Sequence, residues 1–457
     1  MTYSSLLFIY LFFPAALGIY MISPKKIKDI VLYAESLIFC GFMGVKMTLF
    51  ILLFSIVNYT AGKFIYSVKP RLKSIPLAIG ILFDIIMLLS FKADYFSYLH
   101  GFMRLPEGAY PLGISLFTLS TVGYLADIYK GNIRADKNFI RFSLFAMMFP
   151  RLIMGTVVSY DTYLTAMKNR RFNIGELGEG IIGFVKGLAK KVIVADQLYM
   201  LYSAVDGMPL SKLSAASAWL GIIAYILCLY FTLSGLSDMS CGLCRCFGLR
   251  IPNSFNYPMF SGRIRVFLSK WHIQVIQWFR KYITTPVSSM INNAYIGKFV
   301  FVMVWTITGM WYSFSTGGAL WGMLMGLAVV IENKFTKFRK IRTNGIIFTM
   351  FAITLISVFL AAESVSGGLR YIGVMFGGNG NLADSLSVYL LKYYIVILLV
   401  AIYGSTDLFK NTLTRVKDTK FGWIISVFTP VTVLALLLAS TALMAYSGQS
   451  DSMIIML

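Results

Sequence analysis

Two histidines, His100 and His272, are the only imidazoles in a chain of 457 residues. Of the common side chains, imidazole titrates nearest neutrality, so it is the first candidate wherever a reacting hydroxyl must lose a proton. His272 follows Trp271 in a stretch that mixes indole, guanidinium and phenol groups. The competing reading is a hydrogen-bonded structural residue of an amphipathic segment. His100, beside Tyr98 and Leu99, reads as structural. Asp127, Asp196 and Asp238 sit in or at the ends of apolar stretches, where a charge is costly and usually faces a cavity or a partner. Asp127 and Asp196 read as helix-end or basic-loop partners. Asp238 follows Ser234-Gly235-Leu236-Ser237, where glycine permits close approach of a ligand or a helix. It lines a polar funnel or pairs with Arg245 or Arg263. Cys241, Cys244 and Cys246 are closely spaced, but no second Cys pair or His cluster completes four ligands. With Cys40 and Cys228 they read as small apolar residues, and no metal site is assigned.

The elements that must carry these groups have an unusual composition. The chain is 58% hydrophobic and 13% charged, with a mean hydropathy of +0.75. A soluble domain is about 45–50% apolar and about 25% charged. A soluble chain this long needs far more polar surface, so a soluble enzyme is excluded and lipid is the solvent. The net charge of +22 arises from 41 Lys and Arg against 19 Asp and Glu. The basic residues cluster between apolar stretches, as at 24–28 and 334–342, which is the positive-inside pattern of cytoplasmic loops. No basic face of a soluble domain is left for nucleic acid.

A span takes about 20 mostly apolar residues. Twelve candidates follow one another: 5–22, 31–58, 75–91, 110–128, 139–160, 177–202, 213–233, 298–313, 317–333, 345–362, 384–404 and 421–446. The first lacks a basic leader region and a small-residue cleavage site, so it reads as a retained helix. Gly, Pro or charge interrupts the middle ones, as where helices end inside protein. No linker and no internal repeat divides the chain. Residues 1–457 therefore read as one all-α, polytopic membrane domain, and the missing repeat counts against a secondary transporter. Between 234 and 297 hydropathy falls and polar, aromatic and basic residues mix. That region reads as interfacial or re-entrant, and chemistry is expected there.

At these residues the chain resembles the membrane-bound O-acyltransferase family, in the bacterial branch of alginate O-acetylation and teichoic-acid D-alanyl transfer. The resemblance starts at Phe12-Phe13-Pro14 and continues through Tyr110-Pro111-Leu112-Gly113 and Tyr124 to Gly131. Phe149-Pro150-Arg151-Leu152, Gly187 to Asp196, Ser234 to Asp238 and Asn253 to Pro258 follow in order. Trp271-His272 and Trp278-Phe279-Arg280 come next, and the match ends near Glu363 to Gly377. It implies a helical bundle around a central funnel in the bacterial cytoplasmic membrane. There a His acts as base on an acceptor hydroxyl, which attacks an acyl thioester delivered from the cytoplasm. A buried funnel keeps water from consuming the thioester. The thioester, acetyl-CoA or an acyl carrier, is a co-substrate and no bound cofactor is implied. A periplasmic or extracellular acyltransferase is an implied partner, beside the lipid bilayer.

The chain departs from the family pattern where the base is expected. Gly-Leu-Trp-His-Gly reads here Gly309-Met310-Trp311-Tyr312-Ser313, with Trp321-Gly322 and Gly326 keeping the register. The family's principal catalytic His thus falls on Tyr312. A phenol with a pKa of about 10 would need a shift of about three units, worth about 4 kcal/mol, to act as a base at neutrality. Ser313, Phe314 and Ser315 supply no cation for that. Lys281 also stands where the family has an acid. His272 matches the family's second His. The resemblance therefore assigns His272 and Tyr312 to the catalytic position, and Asp238, Trp271, Arg280 and Trp311 to the funnel or acyl-donor binding. Arg forks match phosphate oxygens, although Arg280 and Trp271 equally suit interfacial anchors, and Tyr312 could simply fill the volume left by His. Two functions stay open. One is transfer of an acyl group, acetyl by preference, to hydroxyls of a cell-envelope polysaccharide. The other is an inactive scaffold or conduit in envelope polymer modification.

A shared site requires His272 and Tyr312 to lie within about 15 Å, the reach of one small reacting group and its positioning shell. The positive-inside pattern predicts that 24–28, 334–342 and 410–420 face the cytoplasm. A Lys337→Cys variant should resist a membrane-impermeant thiol reagent in intact cells; labelling from outside would overturn this topology.

Overall fold

The computed structural model describes residues 2–42, 44–92, 113–153, 156–290, 293–332, 342–419 and 422–447. His100 and most of the 334–342 cluster lie outside the described residues. Among the described residues every regular element is helical. Among the described residues six helices are long and apolar enough to cross a membrane: Val45–Ser67, Pro70–Leu89, Ala215–Cys246, Gly345–Ala362, Ser385–Gly404 and Ile425–Tyr446. Phe8–Ile22, Ile114–Tyr129 and Thr316–Glu332 are shorter apolar helices.

Several of the expected segments differ in the structure; 177–202, for one, is interrupted by a π-helical turn at Lys190–Ala195. Residues 31–58 form two helices, Lys28–Gly41 and Val45–Ser67, because Gly44 takes a φ of 112° that breaks the run. Residues 139–160 are broken into Phe139–Met147, Phe149–Leu152 and the start of Tyr160–Lys168. The segment expected to stop at 233 continues as one helix to Cys246. Its last turns are rich in Ser and Gly, which with Asp238 and Arg245 lower hydropathy, yet small residues suit close helix packing in a membrane. A Cβ on Gly242 would come within 2.6 Å of the Gly180 carbonyl oxygen on the neighbouring helix.

The chain divides into two compact units, residues 1–187 with 236–253, and residues 188–235 with 254–457. In the first unit Asp84 ties three helices together. Its carboxylate accepts from Asn58 Nδ2 at 2.7 Å and from the Thr121 hydroxyl at 3.0 Å. Asp127 closes a helix end by accepting from Asn132 at 3.0 Å. Glu176 holds Arg245 at 2.8 Å and also pairs with Arg250.

In the second unit Lys191, on a π-helical turn at Lys190–Ala195, pairs with Asp196. The helices Ala294–Tyr312 and Thr316–Glu332 form a tight hairpin through Ser313 to Ser315. Glycine makes that closeness feasible. A Cβ on Gly309 would lie 2.2 Å from the Gly318 carbonyl oxygen, and one on Gly322 would lie 2.1 Å from the Trp305 carbonyl oxygen. Both contacts are with backbone, which has no rotamer to move aside. Tyr312 is the last residue of the first helix, so this crossing sets where its phenol can stand.

Overpacking of a close-packed core costs about 1–3 kcal/mol. A Gly322→Leu variant should lose at least that much stability in denaturant titration of the purified protein, whereas Gly297→Ala, with no atom within 4 Å of its Cβ position, should not. Equal stability of the two variants would refute the close crossing.

Candidate active site

Trp271 and His272 occupy a bend between two short helices, Ile264–Lys270 and Ile273–Phe279. The bend is fixed from several sides. Glu332 caps the start of the first helix, accepting from the backbone N–H groups of Ile264 at 2.7 Å and Arg265 at 3.1 Å. A carboxylate there satisfies otherwise unpaired donors and complements the helix dipole. The Asn256 N–H donates to the Lys270 carbonyl at 3.0 Å, and the Ile273 N–H donates to the Ser254 carbonyl at 2.7 Å. Between these ties His272 takes a left-handed conformation, φ 43° and ψ 51°. A side chain bearing a Cβ adopts that conformation at a cost, and such strain concentrates at functional sites.

The bend delivers both rings to one oxygen. The Trp271 indole Nε1–H donates to the Tyr312 hydroxyl at 3.0 Å, and His272 Nδ1 lies 2.8 Å from the same oxygen. All three side chains are buried. Phe255 stacks on the imidazole at 5.4 Å between ring centres, and Trp311 flanks both His272 and Tyr312. Indole only donates, so the Tyr312 oxygen accepts from it. The roles of Nδ1 and the phenol depend on the imidazole tautomer: with the ring proton on Nε2, Tyr312 donates to Nδ1 and keeps one lone pair free. Burial pushes the His272 pKa down, to about 3, so the ring is neutral.

Tyr312 also lines a cavity of about 320 Å³, together with Tyr202, Asp206, Tyr225, Ser313 and Glu363. Tyr202 donates to Asp206 at 3.2 Å. Glu363 lies in the turn between Arg342–Ala362 and Val365–Met375 and has a φ of 54°. Its carbonyl accepts from the Gly317 N–H at 3.0 Å, which joins that turn to the start of the Thr316–Glu332 helix.

The structure thus brings His272, Tyr312, Trp271 and Trp311 together in the second unit. Trp271 spends its N–H on Tyr312, and Arg280 is exposed on the π-helical turn Arg280–Thr284. Asp238 belongs to the first unit, where it lines a separate cavity with Glu179, Lys186, Arg245, Arg250 and Asn253. Arg245, a partner expected for Asp238, is held by Glu176 and Glu179. Asp206 and Glu363 went unrecognised as site residues. Their signal was an acid just after an apolar run in a chain with only 19 acids. Among the described residues no three His, Cys, Asp or Glu side chains form a group that could hold a metal.

The described residues thus form an all-helical, multi-pass membrane protein with a buried Trp–His–Tyr cluster beside a polar cavity. The profile of the membrane-bound O-acyltransferase family matches residues 130–362, just over half of the chain, and the chain belongs to that family. Among its relatives is the probable alginate O-acetylase AlgI of Azotobacter vinelandii, 28% identical over 441 residues, covering 92% of this chain and 88% of the relative. The peptidoglycan O-acetyltransferase of Helicobacter pylori is 27% identical, with 82% of this chain and 79% of the relative covered. The teichoic acid D-alanyltransferase of Bacillus subtilis is 20% identical over 240 residues, half of this chain and 60% of the relative.

Tyr312→Phe would remove the oxygen shared by Trp271 and His272 while keeping the ring. The variant should lose about 1–3 kcal/mol of stability, the cost of a buried donor and acceptor left unpaired. Denaturant titration in detergent measures it, and unchanged stability would refute the bridging role.

Proposed function

We propose that this chain transfers an acyl group, acetyl by preference, from a cytoplasmic thioester to a hydroxyl of a cell-envelope polysaccharide in the bacterial cytoplasmic membrane. The thioester is acetyl-CoA or an acyl carrier, and a periplasmic or extracellular acyltransferase would act on the same polymer. The observation that carries the reading is the Tyr312 hydroxyl, hydrogen-bonded to His272 Nδ1 at 2.8 Å while lining the cavity. The names of the alginate and peptidoglycan relatives support acetyl as the group and an envelope glycan as the acceptor.

The arrangement supports a two-step proton relay. An acceptor hydroxyl in the cavity donates to the remaining lone pair of the Tyr312 oxygen. As its oxygen bonds to the thioester carbonyl carbon, its proton passes to Tyr312 and the phenol proton passes to Nδ1. The tetrahedral oxyanion then expels the thiolate as the C–S bond breaks. The proton returns through the phenol to the sulfur, leaving the ester and a free thiol. The magnitudes favour concert over steps. A lone imidazolium at a site whose pKa is about 3, against 6.5 in water, costs on the order of 5 kcal/mol. The acceptor oxygen lies one further hydrogen bond beyond Tyr312, so the oxyanion stands about 6 Å from the imidazolium, where an effective dielectric of about 20 gives about 3 kcal/mol. That attraction offsets part of the cost and exists only once the oxyanion forms, so the proton moves with it and not before.

Acyl transfer from acetyl-CoA to an envelope glycan, assayed in membranes, tests this reading. His272→Gln and Tyr312→Phe should each lower turnover by about 100-fold or more, the usual worth of general acid–base catalysis. Full wild-type turnover that survives His272→Gln would refute the relay. Absent wild-type turnover, with envelope assembly still dependent on the chain, would establish the scaffold instead.

A further inference from the structure

The charge around the Tyr312 cavity runs against the rest of the chain. Basic residues outnumber acids 41 to 19. Yet among the described residues that line this cavity there are two carboxylates, Asp206 and Glu363, and no Lys, Arg or His. Both acids are exposed, whereas Tyr312 is buried, so the acids stand towards the opening and the phenol towards the inner wall. Asp206 Oδ1 accepts from Tyr202, which leaves its second oxygen open to a further donor. Tyr202 and Tyr225 stand with ring centres 5.0 Å apart. An adjoining cavity of about 300 Å³ shares Tyr202 and Asp206 and adds Arg370 and Tyr371. Among the described residues, the one cation lining the two cavities is therefore Arg370 in the adjoining one, which does not include Tyr312.

Resting on the acyltransferase reading of the same site, we infer that this cavity admits the acceptor, and that its acceptor sugar bears hydroxyl or amino groups but no carboxylate. Carboxylates and phenol oxygens accept hydrogen bonds from sugar hydroxyls and from an ammonium group. A uronate would place a third anion beside Asp206 and Glu363 with no cation in the Tyr312 cavity to pair it, and juxtaposed like charges exclude wrong partners. The same repulsion bars the phosphates of an acyl-CoA from this opening, so the donor reaches the carbonyl position by another route. The chain would then differ in acceptor from the alginate O-acetylases to which it is similar, because alginate is a polyuronate.

Equilibrium binding to the full chain in nanodiscs, with no acyl donor present, tests this independently of catalysis. The probes are glucosamine oligomers, neutral N-acetylglucosamine oligomers and mannuronate oligomers of equal length. The first two should bind at least about tenfold tighter than mannuronate, equivalent to about 1.4 kcal/mol. The preference should shrink as salt shortens the Debye length from about 10 Å at 0.1 M. Asp206→Asn combined with Glu363→Gln keeps shape and removes both charges, and should bring the three probes within about threefold, or about 0.65 kcal/mol. Each single variant should do part of this if the pair destabilises the protein. Mannuronate binding as tightly as the other probes, or no probe binding at all, would overturn the inference. A preference that persists in the charge-neutral variants would overturn the role of these two acids. Selective binding without acyl transfer to any probe would leave the inference standing and refute the acyltransferase reading.

Discussion

One phenol oxygen joins two parts of the chain that are 40 residues apart. The Tyr312 hydroxyl accepts from Trp271 and shares a hydrogen bond with His272 Nδ1, and each of those contacts depends on a backbone arrangement that little else would permit. On one side the Ala294–Tyr312 helix lies so close to its neighbour that Gly309 and Gly322 have no room for a methyl group. On the other side a non-glycine residue sits in left-handed space, held by Glu332, Ser254 and Asn256. Backbone strain of that kind costs about 1–3 kcal/mol and persists only where its surroundings over-determine it. The four hydrogen bonds at the bend supply that determination. The oxygen, the hairpin and the bend therefore form a single mechanical unit.

The few acids of the chain divide by task. Several are consumed by structure: Asp84 joins three helices, Glu176 grips two arginines and Glu332 caps a helix. Asp384 caps the Ser385–Gly404 helix and accepts from Ser214 and Ser217. Burial works against its ionised form, but these hydrogen bonds outweigh burial and hold its carboxyl below the usual range. Asp206 and Glu363 are not used this way. Two carboxylates at one cavity are opposite in sign to the net charge of the chain.

The membrane class was legible because composition alone excludes water as the solvent. Long apolar helices such as Ser385–Gly404 were legible from hydropathy, and Trp271-His272 from its setting in a polar aromatic stretch. What escaped was set by contacts distant in sequence or by backbone conformation. The end of the Ala215–Cys246 helix was misplaced because small polar residues lower hydropathy without ending a helix. The Glu332 cap is 68 residues from the helix it stabilises, so no local pattern announces it. Asp206 and Glu363 were missed for a related reason. An acid at the end of an apolar segment looks like a solvated helix end until tertiary packing sets it at the mouth of a cavity.

On the proposed relay, the replacement of the expected imidazole by Tyr312 is more than a lost base. A histidine at that position could take a proton by itself, whereas a phenol holds one and can only exchange it. An exchanger works when a second acceptor stands behind it, and His272 Nδ1 stands there at 2.8 Å. The Trp271 donor fixes which lone pair of the phenol is occupied, so the proton path has one direction inward and one lone pair left for a hydroxyl. In the proposed relay, neutral partners on both sides would mean that no charge is stored on the phenol–imidazole pair at rest. Charge would appear there only while the tetrahedral oxyanion exists to balance it. Moving the base one residue deeper would remove it from direct contact with a hydroxyl in the cavity, and the phenol would restore that contact at the expense of an additional proton transfer.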